Sequence, residues 1–363
     1  MHHPTLRAVY PHDGKLYRYD VTNTSAATPI NVSEVIVADG FEGYKLVTIF
    51  NMTMPGPDII VYEGQRLIIT VENLLLSEAV TVHWHGLHQR GSPYMDGVPF
   101  VTQCPINPGS SFRYDFIAAP KGTFWYHSHM GGQRSDGAFG ALIIRENYDS
   151  SIEDHIIQLQ EWSHHYGTNL ALRHWKGGRI VDRAFVRSPQ TLDGSSLNFM
   201  HIDSALINGK GRYKSKETND YNSTPLQVYN VRMGRQYRFR SINAGAGYPF
   251  RVSVDNHMLT IVATDGYDVR PMEYESFIIH PGERYDFILN ASGPAANYWI
   301  RSQSLQVDKE LIAWAILHYE GAPDEEPTSN SNRIPCTSSS KCYVLNCPYR
   351  YYPGGRAHYL SMT

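Results

Sequence analysis

The sequence predicts an all-β protein of two consecutive β-sandwiches followed by a short cysteine-containing C-terminal tail. Three observations lead there. The apolar segments are short, rich in β-branched and aromatic residues, and bounded by Gly, Pro, Asn and Asp. One block of motifs occurs twice. The chain has 363 residues, ample for two packed domains and uncomfortable for one.

Leu67-Ile68-Ile69-Thr70-Val71, Gly140-Ala141-Leu142-Ile143-Ile144 and Phe277-Ile278-Ile279 read as strands by length, residue type and flanking turn formers. Between Asp154 and Trp162 the pattern fits a helix or a strand equally. The 25 tyrosines and 13 phenylalanines suit sandwich cores.

The repeat is explicit. Asn107-Pro108-Gly109, then Phe112-Arg113-Tyr114-Asp115-Phe116, then Phe124-Trp125-Tyr126-His127-Ser128-His129 form the first block. His280-Pro281-Gly282, Arg284-Tyr285-Asp286-Phe287 and Tyr298-Trp299-Ile300-Arg301-Ser302-Gln303 form the second. Asp96-Gly97 is echoed by Asp265-Gly266, and Val71-Glu72-Asn73 by Ser241-Ile242-Asn243. A sandwich has been duplicated, and the second copy has Arg and Gln where the first has histidines. The division expected is 1–30 as an N-terminal extension, 31–148 and 149–320 as the sandwiches, and 321–363 as linker and tail.

Formal net charge is −3, with 18% charged residues, so nothing points to nucleic acid or an anionic membrane as partner. No apolar run is long enough to span a bilayer. Sequons at Asn23, Asn31, Asn51, Asn222 and Asn290 suggest a secreted glycoprotein, although no signal peptide is visible at the N-terminus. Cys336, Cys342 and Cys347 crowd the C-terminal end and Cys104 stands far upstream. In a secreted chain that reads as one local disulfide plus two cysteines with distant partners; a zinc site is the rival, short of a fourth ligand.

Two histidine pairs carry the chemistry. His83-Trp84-His85-Gly86 follows the alternating stretch Ala79-Val80-Thr81-Val82, and His127-Ser128-His129 follows an aromatic strand. On a strand, residues i and i+2 share a face, so both rings of a pair point one way while Trp84 points into the opposite layer. Two parallel His-x-His edges would line a cleft with four nitrogen ligands, and the splay within a pair lets it serve two neighbouring ions. Asp136, before Gly137, reads as a turn residue. His88, His155, His164, His165 and His257 have no paired partner at ligand spacing and read as ordinary polar residues.

His83-Trp84-His85-Gly86 and Trp125-Tyr126-His127-Ser128-His129 resemble the first two copper signatures of the multicopper oxidases. Met54-Pro55-Gly56-Pro57, Tyr94-Met95-Asp96-Gly97-Val98-Pro99, Thr102-Gln103-Cys104-Pro105-Ile106 and Gln133-Arg134-Ser135-Asp136-Gly137 agree with it. The likeness covers residues 36–320 and is laccase-like, leaning toward animal and invertebrate laccases. It implies two cupredoxin-like Greek-key sandwiches. It also implies type 2 copper at His83 and the type 3 pair at His85, His127 and His129. Asp96 would be the catalytic acid that helps deliver protons to reduced oxygen. The implied activity is one-electron oxidation of phenols or diphenols coupled to reduction of O2 to water.

The family's type 1 copper and remaining cluster ligands come from a third cupredoxin domain, through His-Pro-x-His-x-His and His-Cys-His stretches that do not occur here. Cys347, His358 and Met362 have the wrong spacing for a type 1 set. The expectation is an incomplete form with half the trinuclear site, inactive alone and completed by a missing domain or a second chain. The resemblance also gives Cys104 a disulfide partner near a far C-terminus. The competing reading is a non-catalytic secreted two-cupredoxin protein that binds copper or belongs to the extracellular matrix. Ascorbate oxidase and ferroxidase are the other enzyme readings.

Overall fold

The computed structural model describes residues 36–43, 45–146, 152–165, 167, 202–305, 311–329 and 343–347 in full, with short strands elsewhere described by backbone only. Asn31, Cys336, Cys342 and Met362 lie outside the described residues, as do the side chains of Asn23 and His358. Residues 8–30 trace three antiparallel strands, Ala8–His12, Lys15–Asp20 and Asn23–Ile30. No described helix is long and apolar enough to cross a membrane.

The first sandwich faces a four-stranded sheet with a two-stranded one. In the larger sheet the order is Ile59–Tyr62, Phe139–Arg145, Gly122–Ser128 and Val82–His85. The smaller pairs Arg66–Glu72 with Ser111–Ile117. Trp84, Tyr114, Phe116, Phe124, Tyr126 and Leu142 fill the space between. Each strand contributes alternate residues to that core, as the period-two pattern requires. The stretch with ambiguous periodicity is a strand, Glu153–Trp162. It pairs parallel to Gln236–Asn243 and antiparallel to Ser204–Ile207, so both of its edges are satisfied by neighbours.

The second sandwich repeats this order. Gln227–Val231, Ile312–Tyr319, Asn297–Ser304 and Phe250–Val254 succeed one another in one sheet, and in both copies the first pairing is parallel. Gln236–Asn243 pairs with Arg284–Asn290 as Arg66–Glu72 pairs with Ser111–Ile117. Its core gathers Phe239, Phe250, Phe277, Phe287 and Tyr319. Val344–Leu345 from the tail adds a parallel strand beside Ser276–Ile279.

The two sandwiches meet on a mixed surface. Trp125, Phe139, Ala141 and Ile143 pack against Ile242 and Ala244. Beside this apolar contact, Asp286 Oδ2 accepts from Thr123 Oγ1 at 2.9 Å, Arg238 Nη2 at 2.6 Å and Arg240 Nη1 at 3.2 Å. The first copy has the same pair in the same register, Arg66 with Asp115 at 2.7 Å, but on the open surface. Duplication supplied one charge pattern, and docking buried only the second version of it.

A second buried pair ties residues 45–48 to the loop after the second histidine motif. Lys45 Nζ is 3.2 Å from Asp136 Oδ1 and 3.5 Å from the centroid of the Trp162 ring. Both Asp136 carboxylate oxygens accept from Gly167 N, each at 2.9 Å. Asp136 is thus a buried anchor, more than the turn residue its Asp-Gly context suggested. Burial raises its pKa from 3.8 to about 6, against the opposing pull of Lys45. A folded-state pKa above the unfolded one means the folded protein holds the proton more tightly. Its contribution to stability is therefore fully present below pH 3.8 and lost as pH rises through about 6. Asp136→Asn should remove that component, leaving denaturant stability flatter than wild type between these pH values. An unchanged profile would contradict the assignment.

Candidate metal centre

Val82–His85 and Gly122–Ser128 are antiparallel neighbours, with His83 directly opposite His127. The parallel edges expected from the sequence are therefore antiparallel, which places the two motifs in one continuous patch of sheet. Because side chains alternate, His83, His85, His127 and His129 share one face, and Trp84 and Tyr126 go to the core on the other. One ligand nitrogen each from His83, His85 and His127 lies within 4.8 Å of the others. His129 sits at the rim: its ring centroid is 5.5 Å from that of His83 and 5.8 Å from that of His127, and it is exposed.

Hydrogen bonds assign the nitrogens. His83 Nδ1 donates to the Asp96 carbonyl at 2.7 Å, and Asp96 Oδ1 stands 3.4 Å from the same nitrogen. His127 Nδ1 donates to the Ser128 carbonyl at 2.9 Å. Each ring thus keeps a bare Nε2, the arrangement in which a carbonyl partner orients a metal-binding imidazole. His127 Nε2 faces His85 Nδ1 at 3.4 Å. Two nitrogens about 2.0–2.1 Å from one ion, near tetrahedral angles, would be roughly 3.4 Å apart. The spacing fits a shared ion better than it fits a direct hydrogen bond.

Electrostatics favour neutral rings. Burial, with Arg284 nearby, lowers the His85 pKa to about 3. Burial likewise pushes His127 well below its usual value and lowers His129. A neutral imidazole offers its lone pair without first losing a proton. These donors suit a borderline transition metal such as copper.

Trp125 lies on the same strand face as His127, its ring centroid 4.3 Å from that of His127 and 4.8 Å from that of His85. The period-two rule that paired the histidines would have found it. Copper(II) bound here should quench Trp125 emission. The titration signal should vanish in Trp125→Phe, and its survival would place the metal elsewhere.

The second copy makes the contrast. Register puts Ser253, Asp255, Arg301 and Gln303 where the first copy has His83, His85, His127 and His129. Arg301 binds Asp255 through two contacts, 2.9 and 2.8 Å, where the first copy has two facing imidazoles. An internal ion pair thus occupies the equivalent of a ligand pair.

The histidines without a paired partner at ligand spacing make their contacts outside the cluster. His164 Nε2 is 2.7 Å from Asp39 Oδ2, which also accepts from Ser204 Oγ at 2.6 Å. The carboxylate stands between serine and histidine, so the His164 imidazole does not face the hydroxyl as the histidine of a nucleophilic serine would. His257 bonds Tyr319 Oη at 2.6 Å, and His88 bonds Tyr267 Oη at 2.5 Å. His155 packs among Tyr229, Tyr237 and Phe239, and the His165 amide donates to Ser163 Oγ. Cys104 is an exposed free thiol, so the disulfide implied for it has no counterpart among the described residues; Cys347 is buried.

Comparisons with known proteins agree with this geometry. Residues 34–149 and 153–322 each match a family described as multicopper oxidase. Laccase-4 of Thanatephorus cucumeris is 34% identical over 333 residues, covering 86% of this chain and 56% of that enzyme. The Trametes maxima laccase is 35% identical, with 86% and 57% covered. The chain thus spans little more than half the length of these relatives. These relatives do not show the leaning toward animal laccases. The laccase of Botrytis aclada superposes with a TM-score of 0.64 at 35% identity, over 77% of this chain and 50% of that one. The blue copper oxidase of Nitrosomonas europaea gives 0.58 at 29% identity, over 76% and 79%. With both sandwiches matched and paired histidines on the first, the chain belongs to the multicopper oxidase family.

Proposed function

We propose that this chain supplies the type 2 and type 3 copper ligands of a laccase-like oxidase that oxidises phenols or diphenols and reduces O2 to water. The observation that carries the reading is the convergence of one ligand nitrogen from each of His83, His85 and His127 within 4.8 Å, with His129 at the rim. His83 would serve type 2 copper, and His85, His127 and His129 the type 3 pair. Copper bound there supplies one-electron redox chemistry and an acceptor site for O2.

The chain's own groups do the rest. Asp96 fixes the His83 tautomer through its carbonyl, and its partly exposed carboxylate, 3.4 Å from that ring, can exchange protons with solvent at the cluster edge. Trp125 walls the cluster on the side of the second sandwich and keeps water from that flank. The exposed rim at His129 leaves room for further ligands, from a further cupredoxin domain or a second chain. The proposed division places the ligand-bearing sandwich at 31–148 and the ligand-free one at 149–320. A secretory route is part of the same reading: of the sequons, Asn51 and Asn290 are exposed, whereas Asn222 Nδ2 donates to the Asp39 carbonyl at 2.7 Å.

Protein purified from its source and loaded with copper should consume O2 when given a diphenol. Full copper loading with no O2 uptake on any phenol would favour the non-catalytic copper-binding reading instead.

A further inference from the structure

The second sandwich contributes none of the four imidazoles, yet one of its turns touches His85. Gly282 adopts φ +88°, and a Cβ there would lie 3.2 Å from both Cε1 and Nε2 of His85. The turn therefore closes the Cε1–Nε2 edge of the ring. Trp125 covers a face of it, and Nδ1 is left pointing at His127.

The turn is fastened both within its own sandwich and across the domain boundary. Gly282 N donates to the Asn243 carbonyl at 2.8 Å. Arg284 then spreads its guanidinium over three carbonyls: Nε to Thr123 at 3.1 Å, Nη1 to Gly282 at 3.2 Å, and Nη2 to Asp265 at 3.0 Å. Thr123 lies on the strand that continues to Trp125 and His127. The same guanidinium abuts the chain just after His85, where a Cβ at Gly86 would meet Nη2 at 2.4 Å. A planar fork with five donors can link these carbonyls at once, which a lysine cannot. At the equivalent register position in the first copy, Arg113 stays on the surface beside Asp115.

We propose that Gly282 and Arg284 are positioning residues for the metal centre, holding the His85 ring so that Nδ1, not Nε2, is the ligating nitrogen. The proposal rests on the metal-centre reading above. Under it the ligand-free sandwich selects which nitrogen of a ligand on its neighbour meets the ion.

The test uses histidine-labelled full chain, with zinc(II) as a diamagnetic probe, and reads each imidazole nitrogen by NMR. Gly282→Ala is compared with Gly321→Ala, which has φ +90° and no neighbour within 4 Å, so backbone strain is matched and only the His85 contact differs. Wild type should ligate zinc through His85 Nδ1. Gly282→Ala should lose that signature and at least roughly tenfold in zinc affinity, the lower end of what loss of an orienting partner costs. Gly321→Ala should match wild type. Arg284→Lys, which keeps the charge, should show a smaller loss in the same direction, and it decides the matter if Gly282→Ala does not fold. Retention of the wild-type His85 signature and affinity in both Gly282→Ala and Arg284→Lys would overturn the proposal. In metal-free protein, the contact between Gly282 Hα and the His85 Cε1 proton reports ring orientation directly. A wild type that binds no zinc at the three imidazoles would therefore sink the metal centre, while ring orientation in the variants still judges the positioning.

Discussion

His127→Ala should abolish tight copper binding while leaving the fold intact. His127 is the most buried of the four rings, sits opposite His83, and presents Nε2 to His85 Nδ1 at 3.4 Å. Losing a partner that merely orients a ligand costs roughly 10–100-fold in affinity. Losing the ligand itself should exceed that, because the neutral His85 ring then faces a void instead of an ion. His88→Ala is the control: that ring bonds Tyr267 and stands outside the cluster. Isothermal titration with copper(II) separates the cases. Wild-type affinity in His127→Ala would show that the metal binds elsewhere.

The largest effect on stability is expected from Asp286→Asn. Its Oδ2 collects Thr123, Arg238 and Arg240, and all but Arg238 are nearly fully buried. Arg240 is also held by Asp154 at 3.1 Å, so the carboxylates form a chain across the domain boundary. Neutralising one partner leaves guanidinium charge in a site closed to water, which costs roughly 3–5 kcal/mol. Asp115→Asn makes the same change at the equivalent position of the first copy, where Arg66 is open to solvent. It should barely move the unfolding midpoint, since exposed pairs contribute little. Denaturant melts of the two variants side by side test the asymmetry, and equal shifts would contradict it.

Much of this architecture is legible in the sequence because it depends on local periods. Alternation along Ala79–His85 and Phe124–His129 fixes which side chains share a face, and the repeated motifs fix the duplication. The histidine pairs were legible for the same reason. Asp154–Trp162 was ambiguous because a strand buried on both faces loses its alternation: Ile157 and Leu159 go to the second core while Ile156, Gln158 and Gln160 meet the first sandwich. Contacts made across long separations left no local trace. Nothing near Gly282 announces that it rests on His85, and Asp136 looked like any Asp-Gly turn until Lys45, 91 positions earlier, was brought over it. The antiparallel pairing of the two motifs also follows from topology, which periodicity alone does not set.

The proposed copper site is the pair of neighbouring strands in the first sandwich, with His83, His85 and His127 as ligands and His129 at the rim. Anomalous diffraction at the copper edge from copper-soaked crystals tests it most directly. The strongest anomalous peak should fall between His85 Nδ1 and His127 Nε2, with a second near His83 Nε2. Copper peaks only at other histidines, or none within bonding distance of these three rings, would contradict it.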